Sequence, residues 1–449
     1  MLETIRNAWK IPDLRKKILF TFLLLVIFRL GSVIPVPWLN QSVVQGWLEG
    51  SGSGSTLFNL LDTFSGGGLS NATIFAMSIT PYINSSIIMQ LLCVAIPALE
   101  RMSKEGEEGR KKITKITRYV TVVLAALQAW GLAITLNNTV VDGVRAVATN
   151  TGMVPHWLVM LTIILSFTAG TAFLMWLGEQ ITVKGIGNGI SMLIFAGIVS
   201  RVPDMAYSAW QNFIPRKQWW MLIILLVYVL ASIAFVVLVN EAERRIPVQY
   251  AKRVVGRKMY GGQSTFIPIK VAMAGVIPII FAMSIMTFPA TLATLFGRST
   301  GVLANIAGFI TGNGSGWANI PSKIFYPLVY FLLIVGFTYF YTSITFNPIE
   351  VSNNIKKNNG MVPGLRPGKP TSDYIAKVLS RITLVGACFL GIVAVLPIVI
   401  SEIFSKFVGN ISAITLTGTS LLIVVGVALE TVKQMESQML MRHYKGFLE

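Results

Sequence analysis

The chain has 449 residues, 53% hydrophobic and only 12% charged, with a formal net charge of +18. A soluble protein of this length carries about twice that charged fraction, so a water-soluble globular fold is excluded. Cys93 and Cys388 lie in separate apolar runs and His156 and His443 stand far apart, so no metal or nucleophile constellation presents itself, and no cofactor is expected.

A run of about 20 apolar residues is enough to span a bilayer. Ten such runs follow one another, at 18–38, 72–97, 117–137, 154–177, 186–203, 218–240, 268–296, 324–346, 376–400 and 410–432. The pattern predicts an all-α polytopic membrane protein with ten transmembrane helices. The first run follows Arg15, Lys16 and Lys17 without a small-residue cleavage site, so it reads as a retained helix after an N-terminal segment, 1–17. Three glycines, Gly66, Gly67 and Gly68, precede the second run, which places Pro81 near its middle and sets Asn84, Ser85 and Ser86 beside it. With the N-terminus inside, 29 Lys/Arg fall on the inner side and seven outside (Arg145, Arg201, Arg216, Lys217, Arg298, Lys323, Lys406). That imbalance places both termini in the cytoplasm, with a tail at 433–449. Arg29 falls within the first span, where it snorkels to an interface or pairs with a backbone carbonyl.

Two short motifs recur five helices apart. Gly189-Ile190-Ser191-Met192-Leu193-Ile194 and Gly418-Thr419-Ser420-Leu421-Leu422-Ile423 both read G-x-S-x-L-I, while Pro81-Tyr82-Ile83 and Pro278-Ile279-Ile280 both read P-x-I. An odd offset reverses direction across the membrane, so the repeat predicts two inverted halves around a central pore: 18–203 and 218–432, joined by an outer hinge region at 204–217. Ile83, Ile194, Ile280 and Ile423 fall near the midpoints of their runs, and Ile79 and Ile190 lie one turn earlier. Isoleucines at such positions are either ordinary lipid-facing or core residues, as composition alone favours, or a ring of branched aliphatics at mid-depth, a constriction that gates by excluding water. The spans are almost free of mid-depth acids, so no ion or proton pathway competes.

Two long inner loops, 241–267 and 350–375, are basic. The first reads as a β-hairpin with Gly256 in its turn, decorated by Arg244, Arg245, Lys252, Arg253, Arg257 and Lys258. The second holds Arg366 between Pro363 and Pro367 at a stiff turn. Basic protrusions suit a phosphate-rich or acidic partner. "GLRPGKP" is not a phosphate loop, because three residues separate its glycines and Pro370 replaces the Ser/Thr. Inverted repeats and broken helices alone also allow a secondary transporter of a small solute; the missing mid-depth carboxylates and the two large basic loops argue against it. No catalytic set appears, so an enzyme is not expected.

Several long stretches, taken in order, resemble the SecY family, the large subunit of the bacterial protein-conducting channel: "SGGGLSNATIFAMSITPYINSSII", "GEQITVKGIGNGIS", "RRIPVQYAKRVVGRKMYGGQSTFIPIKVAMAGVIPIIFA", "VPGLRPGKPT" and "GTSLLIVV". The resemblance implies a passive channel in the bacterial plasma membrane for secretory polypeptides. Its pore ring falls on Ile79, Ile83, Ile190, Ile194, Ile280 and Ile423. It implies a plug at 60–71, with Leu60, Leu61 and Phe64 as its apolar part and Gly66, Gly67, Gly68, Ser70 and Asn71 as its hinge region. It implies a lateral gate that releases membrane segments into lipid, with Thr80, Pro81, Asn84, Gln128, Ala272 and Pro278 as candidate members; Ala272 stands where relatives often carry asparagine. It implies docking of a ribosome or the motor ATPase SecA through Arg366 and the basic hairpin, and partner subunits SecE and SecG. Signal peptides and nascent chains would be its clients.

Overall fold

The computed structural model describes residues 2–49, 62–63, 65–141, 143–148, 154–213, 219–250, 253–255, 258–260, 264–295, 319–358, 360–408 and 418–445. In chain order they form α1 (Leu2–Lys10), α2 (Pro12–Gly31), α3 (Gln41–Glu49), α4 (Thr80–Ala95), α5 (Pro97–Lys104), α6 (Glu107–Asn138), β1 (Val140–Val141), β2 (Val144–Arg145), α7 (His156–Lys184), α8 (Gly189–Phe213) and α9 (Trp219–Glu241). There follow β3 (Glu243–Tyr250), β4 (Arg253–Val255), β5 (Lys258–Tyr260), β6 (Ser264–Lys270), α10 (Ile277–Leu295), α11 (Asn319–Thr345), α12 (Pro348–Lys357), β7 (Gly360–Met361), α13 (Lys369–Val408) and α14 (Gly418–Lys445). Two compact units result: Met1–Pro215 with Ser284–Tyr326 and Val427–Glu449, and Arg216–Met283 with Pro327–Gly426.

The protein is polytopic and predominantly helical. Each of the ten apolar runs carries a helix. Among the described residues, six helical stretches are long and apolar enough to cross a membrane, and a seventh if α4 and α5, bent by 102°, form one span. Several helices outrun their apolar stretch. α6 begins at Glu107 and α13 runs for 40 residues, because a helix closes its own hydrogen bonds in water as well as in lipid.

Two runs are shorter as helices than their hydropathy suggests. The run 72–97 becomes helical only at Thr80, so Pro81 sits in the first turn of α4 and not at mid-helix. There its missing N–H costs nothing. The run 268–296 becomes helical only at Ile277; Ala272 lies in turns between β6 and α10. The isoleucines of the two motifs are accordingly not at helix midpoints. Ile83 and Ile280 fall in first turns, and Ile194 and Ile423 are the sixth residues of α8 and of the described α14.

The internal repeat extends further into the backbone than into the side chains. Three residues ahead of each motif proline stands a residue with left-handed backbone: Ser78 (φ 52°) ahead of Pro81 and Gly275 (φ 57°) ahead of Pro278. Seven residues ahead stand Ile74 and Val271, whose carbonyls press against helical glycines. A Cβ on Gly170 of α7 would overlap the Ile74 carbonyl oxygen, and one on Gly386 of α13 would overlap that of Val271. Each unit therefore carries the same sequence of devices: a carbonyl seated on a glycine, a left-handed residue, then a proline-started helix.

The two basic loops build one module in the second unit. β3 pairs antiparallel with β6 from Glu243↔Lys270 to Gln249↔Ser264, and β4 pairs with β5. The two strands of the hairpin expected from sequence are paired; Gly256, expected in its turn, lies outside the described residues, as do Arg257 and Lys252. β7, from the second loop, adds a third strand through Gln249↔Met361 and Tyr250↔Gly360. Along β3 burial alternates with the pleat: Ile246 and Val248 turn inward and join Ile269, Ile355, Val362, Ile375 and Leu379 in one core.

Replacing Gly170 or Gly386 with alanine should cost about 1–3 kcal/mol, as overpacking against backbone does. The thermal midpoint of the detergent-solubilised protein should fall by several degrees for both. Gly336→Ala, where a Cβ meets nothing within 4 Å, is the control and should not lower it.

Candidate functional site

Lipid offers no partners to a peptide group, so a non-helical stretch between membrane helices must satisfy its own backbone. Ser65–Ile79 is such a stretch: it is a chain of turns, and 12 of its 15 residues are buried. Burial at that level rules out an ordinary surface loop.

Nine consecutive amides, Gly66 to Ser70 and on to Ile74, each reach an acceptor. Gly66 and Gly67 donate to the carbonyls of Thr63 and Asp62, Asn71 to Gly67, Ala72 to Leu69 and Thr73 to Gly68. Gly68 and Leu69 donate to the Ser65 hydroxyl at 3.0 and 3.3 Å, and Ser70 to Asp62 Oδ1 at 2.8 Å. Ile74 donates to the carbonyl of Ile34, just beyond α2, while Val36 donates back to Ala72. The polar residues that look out of place in an apolar run are the acceptors that let it fold without a helix.

The stretch is moored on three sides. Arg29 of α2 donates from Nη1 to the Gly66 carbonyl at 2.8 Å and to the Ser200 hydroxyl at 3.2 Å. Of the two roles open to Arg29 in the sequence, pairing with a carbonyl is the one adopted. Arg201 of α8 forms an ion pair with Asp62. Asn71 accepts from Gln41 (2.8 Å) and Gln45 (3.3 Å) of α3, and its own amide holds the Gly67 carbonyl at 2.9 Å. Gly66 has φ 67° and lies so close to α8 that a Cβ would stand 2.8 Å from Ser200 Oγ and 3.1 Å from Gly197 Cα. That position requires glycine twice over, for backbone and for space. Phe75 fastens the far end: its ring covers Gly31 and stacks between Phe28 and Phe173 at centroid distances of 6.0 and 6.1 Å.

Ile79 is buried in the same cluster as Phe75, Leu193 and Leu177, and Ile83 and Ile190 pack against it. The first unit thus brings three of the named isoleucines together; Ile194 is buried one turn along α8. Ile280, half-buried, and Ile423, buried, belong to the second unit. Leu60, Leu61 and Phe64 lie outside the described residues.

Thr80, Pro81 and Asn84 share α4, with half-buried Gln128 on α6. The Ser85 hydroxyl ties α4 to α6 by donating to the Thr117 carbonyl at 2.9 Å. Asn84 Oδ1 is buried with no hydrogen-bond partner among the described residues. Pro278 is buried in the first turn of α10.

Arg244 and Arg245 are exposed on β3, where Arg245 lies 4.7 Å above the Phe266 ring and donates to Glu243 at 2.7 Å. Arg253 and Lys258 belong to β4 and β5. Arg366 is exposed between Gly364 (φ 83°) and Gly368 (φ 109°). Its carbonyl accepts from Thr371 Oγ1 at 2.8 Å, Ser352 Oγ holds the Gly368 carbonyl at 2.8 Å, and Leu365 packs on the sheet core. The backbone of the tip is thus held on both sides while the Arg366 side chain stays exposed.

Sequence reasoning missed Asp62 and misplaced Arg201, which is not in an outer loop but on α8. The available signal was the acid itself: Asp62 is a lone carboxylate near the start of a glycine-rich apolar stretch, and a buried carboxylate calls for a basic partner.

A family model described as SecY matches residues 73–432. The chain is 46% identical over 461 residues to the protein translocase subunit SecY of Halalkalibacterium halodurans, covering 100% of both. It is 44% identical over 456 residues to that of Thermotoga maritima, covering 100% of this chain and 98% of the relative. A solved structure concerning the plug domain of the SecY protein aligns with a TM-score of 0.66 at 18% identity, covering 96% of each chain. Another, of a protein conducting channel, aligns with 0.64 at 19% identity, also covering 96% of each. At that identity the two structures speak for the fold alone.

Gly66→Val should lift the stretch off α8. In a background with Cys93 and Cys388 replaced by alanine, a cysteine at buried Leu69 should then react with a maleimide roughly tenfold faster, the effect of about 1.4 kcal/mol on local opening. Labelling kinetics in native membranes read this directly.

Proposed function

The chain belongs to the SecY family, and we propose that it is the channel-forming subunit of a bacterial protein translocase, a passive pore for secretory polypeptides in the plasma membrane. The observation that carries the reading is the buried, self-satisfied body Ser65–Ile79, packed on the isoleucines at the start of α4 and α8. The amides of Gly66 to Asn71 all find their acceptors within residues 62–71, so that part of it can leave as a unit without orphaning its backbone.

On this reading residues 60–71 are the plug, and Ile79, Ile83, Ile190, Ile194, Ile280 and Ile423 form the ring that keeps the resting pore dry. Branched aliphatics suit a seal of this kind, since they fill a narrow passage and hold no water, yet yield to a chain of any sequence. Thr80, Pro81, Asn84, Gln128, Ala272 and Pro278 lie along the lateral gate through which hydrophobic segments leave for lipid. Both termini and both basic loops face the cytoplasm. Arg366 and the basic residues of β3 to β5 dock a ribosome or a SecA-type motor, which supplies the energy. Curated relatives are named translocase subunits, and SecE and SecG are the companion subunits the reading calls for.

The test is reconstitution into vesicles with a SecE-type partner and a SecA-type motor. ATP should carry a secretory preprotein into a protease-protected lumen, and a preprotein left fully digestible would sink the reading. Deleting 60–71 should leave a protein that accumulates in membranes, yet raise resting ion conductance in planar bilayers. Unchanged conductance would remove the plug from the account. Arg366→Glu should abolish translocation at normal protein levels, since an exposed tip costs under about 0.5 kcal/mol in folding while a reversed charge in a docking contact costs several kcal/mol.

A further inference from the structure

We propose that Asp62, Arg201 and Arg29 form an electrostatic latch that positions the part of the plug running from Asp62 to Asn71 and sets how readily it leaves; the proposal rests on the plug reading above.

Asp62 joins two jobs in one side chain. Its Oδ1 and its backbone carbonyl organise the body itself, accepting from the Ser70 amide at 2.8 Å, the Gly67 amide at 2.9 Å and the Ser65 hydroxyl at 3.0 Å. Its Oδ2 faces outward and meets the guanidinium of Arg201 on α8. The carboxylate is only 3% exposed and the arginine 26%, so the pair sits where charges are retained only in company. The preceding residue on α8, Ser200, accepts from Arg29 of α2, and the same Arg29 nitrogen holds the Gly66 carbonyl. Two arginines from two helices thus converge on residues 62 and 66 of one body, the first through its charge and the second through its backbone.

The arrangement responds to water. The attraction between two charges falls in proportion to the local dielectric, so a pair that is strong in a dry site weakens many-fold once water reaches it. Buried, the latch holds; when an entering chain wets the passage, the same ion pair loses its grip and each charge is solvated separately. Release is therefore driven by hydration and needs no force directed at the body itself. Arg201 and Arg29 are positioning residues in this scheme and touch no client.

The experiment is a mutant cycle read as resting ion conductance in planar bilayers, on the full chain with its partner subunit. Asp62→Asn keeps an oxygen for the Ser70 amide while removing the charge, so it isolates the ion pair. Asp62→Asn and Arg201→Gln should each raise resting conductance roughly tenfold, and the double variant should do no more than the stronger single, since coupled partners do not add. Arg29→Gln, at an exposed side chain that folding tolerates, should give a smaller rise of about two- to threefold. As a second readout, maleimide labelling of a cysteine at Leu69 should accelerate in the same order. If the 60–71 deletion raises conductance but Asp62→Asn and Arg201→Gln match the parent in both readouts, the latch is wrong and the plug stands. If the deletion changes nothing either, the plug reading falls and takes the latch with it. Strictly additive effects of the two single variants would also overturn the latch, because they would show two independent sites.

Discussion

A peptide group buried away from water must find its partner inside the protein, and Ser65–Ile79 shows what that demand extracts from its surroundings. A helix would have met it without help. A chain of turns meets it only because Ser65 and Asp62 supply side-chain acceptors, Ile34 and Val36 lend a short bridge, and Arg29 caps an outward carbonyl. The neighbours are shaped to match. Gly170 and Gly197 leave room for backbone, Gly31 leaves room for Phe75, and α4 starts late so that Pro81 falls where a proline does no harm. Remove the requirement for self-satisfaction and none of these residue choices has a reason.

The second unit meets the same demand with a different spelling. Val271 presses its carbonyl onto Gly386 as Ile74 does onto Gly170, and Gly275 takes the left-handed turn that Ser78 takes in the first unit. The difference between serine and glycine at that turn carries weight. A left-handed β-carbon costs on the order of 1 kcal/mol, which Ser78 bears at 3% exposure and Gly275 does not. The first unit therefore holds the more strained copy, and it is the copy that leads into the candidate plug and its latch. Strain of this kind persists only where the surroundings over-determine it, and here the packing of Phe75 between Phe28 and Phe173 supplies the constraint.

Much of this was open to reading in the chain. Apolar run length depends on a single transfer property, so each of the ten runs carries a helix. The hairpin was legible in "IPVQYAKRVV" and "KMYGGQSTFIPI", two strand-forming segments around a Gly/Arg/Lys tip, and the stiff turn in Pro363 and Pro367. What stayed hidden depends on pairs distant in sequence. Hydropathy measures affinity for lipid and is blind to hydrogen bonding, so the turns ahead of Thr80 and Ile277 passed for helix. The pairing of β7 with β3 joins two residues, Gly360 and Met361, to a strand about a hundred positions earlier, and so short a strand leaves no periodic trace. Asp62 and Arg201 are 139 residues apart; each alone looked like a stray charge, and their meaning lay in the contact.

α13 has a mechanical side. Forty residues of helix make a rod of about 60 Å, roughly twice the hydrocarbon thickness of a bilayer. Its first turns, through Ile375 and Leu379, are sunk in the core of the three-stranded sheet, and the Arg366 tip leads into it within three residues. β7 stitches the adjoining loop to the strand that leads back to α9. Pro397 interrupts the hydrogen-bond ladder towards the far end of α13, so the rod is stiffest over the part rooted in the sheet core. β7 braces that root against the strand from α9, as a gusset stiffens a joint. Sheet, tip and the first turns of α13 are therefore one rigid piece, and none of them can tilt without the others.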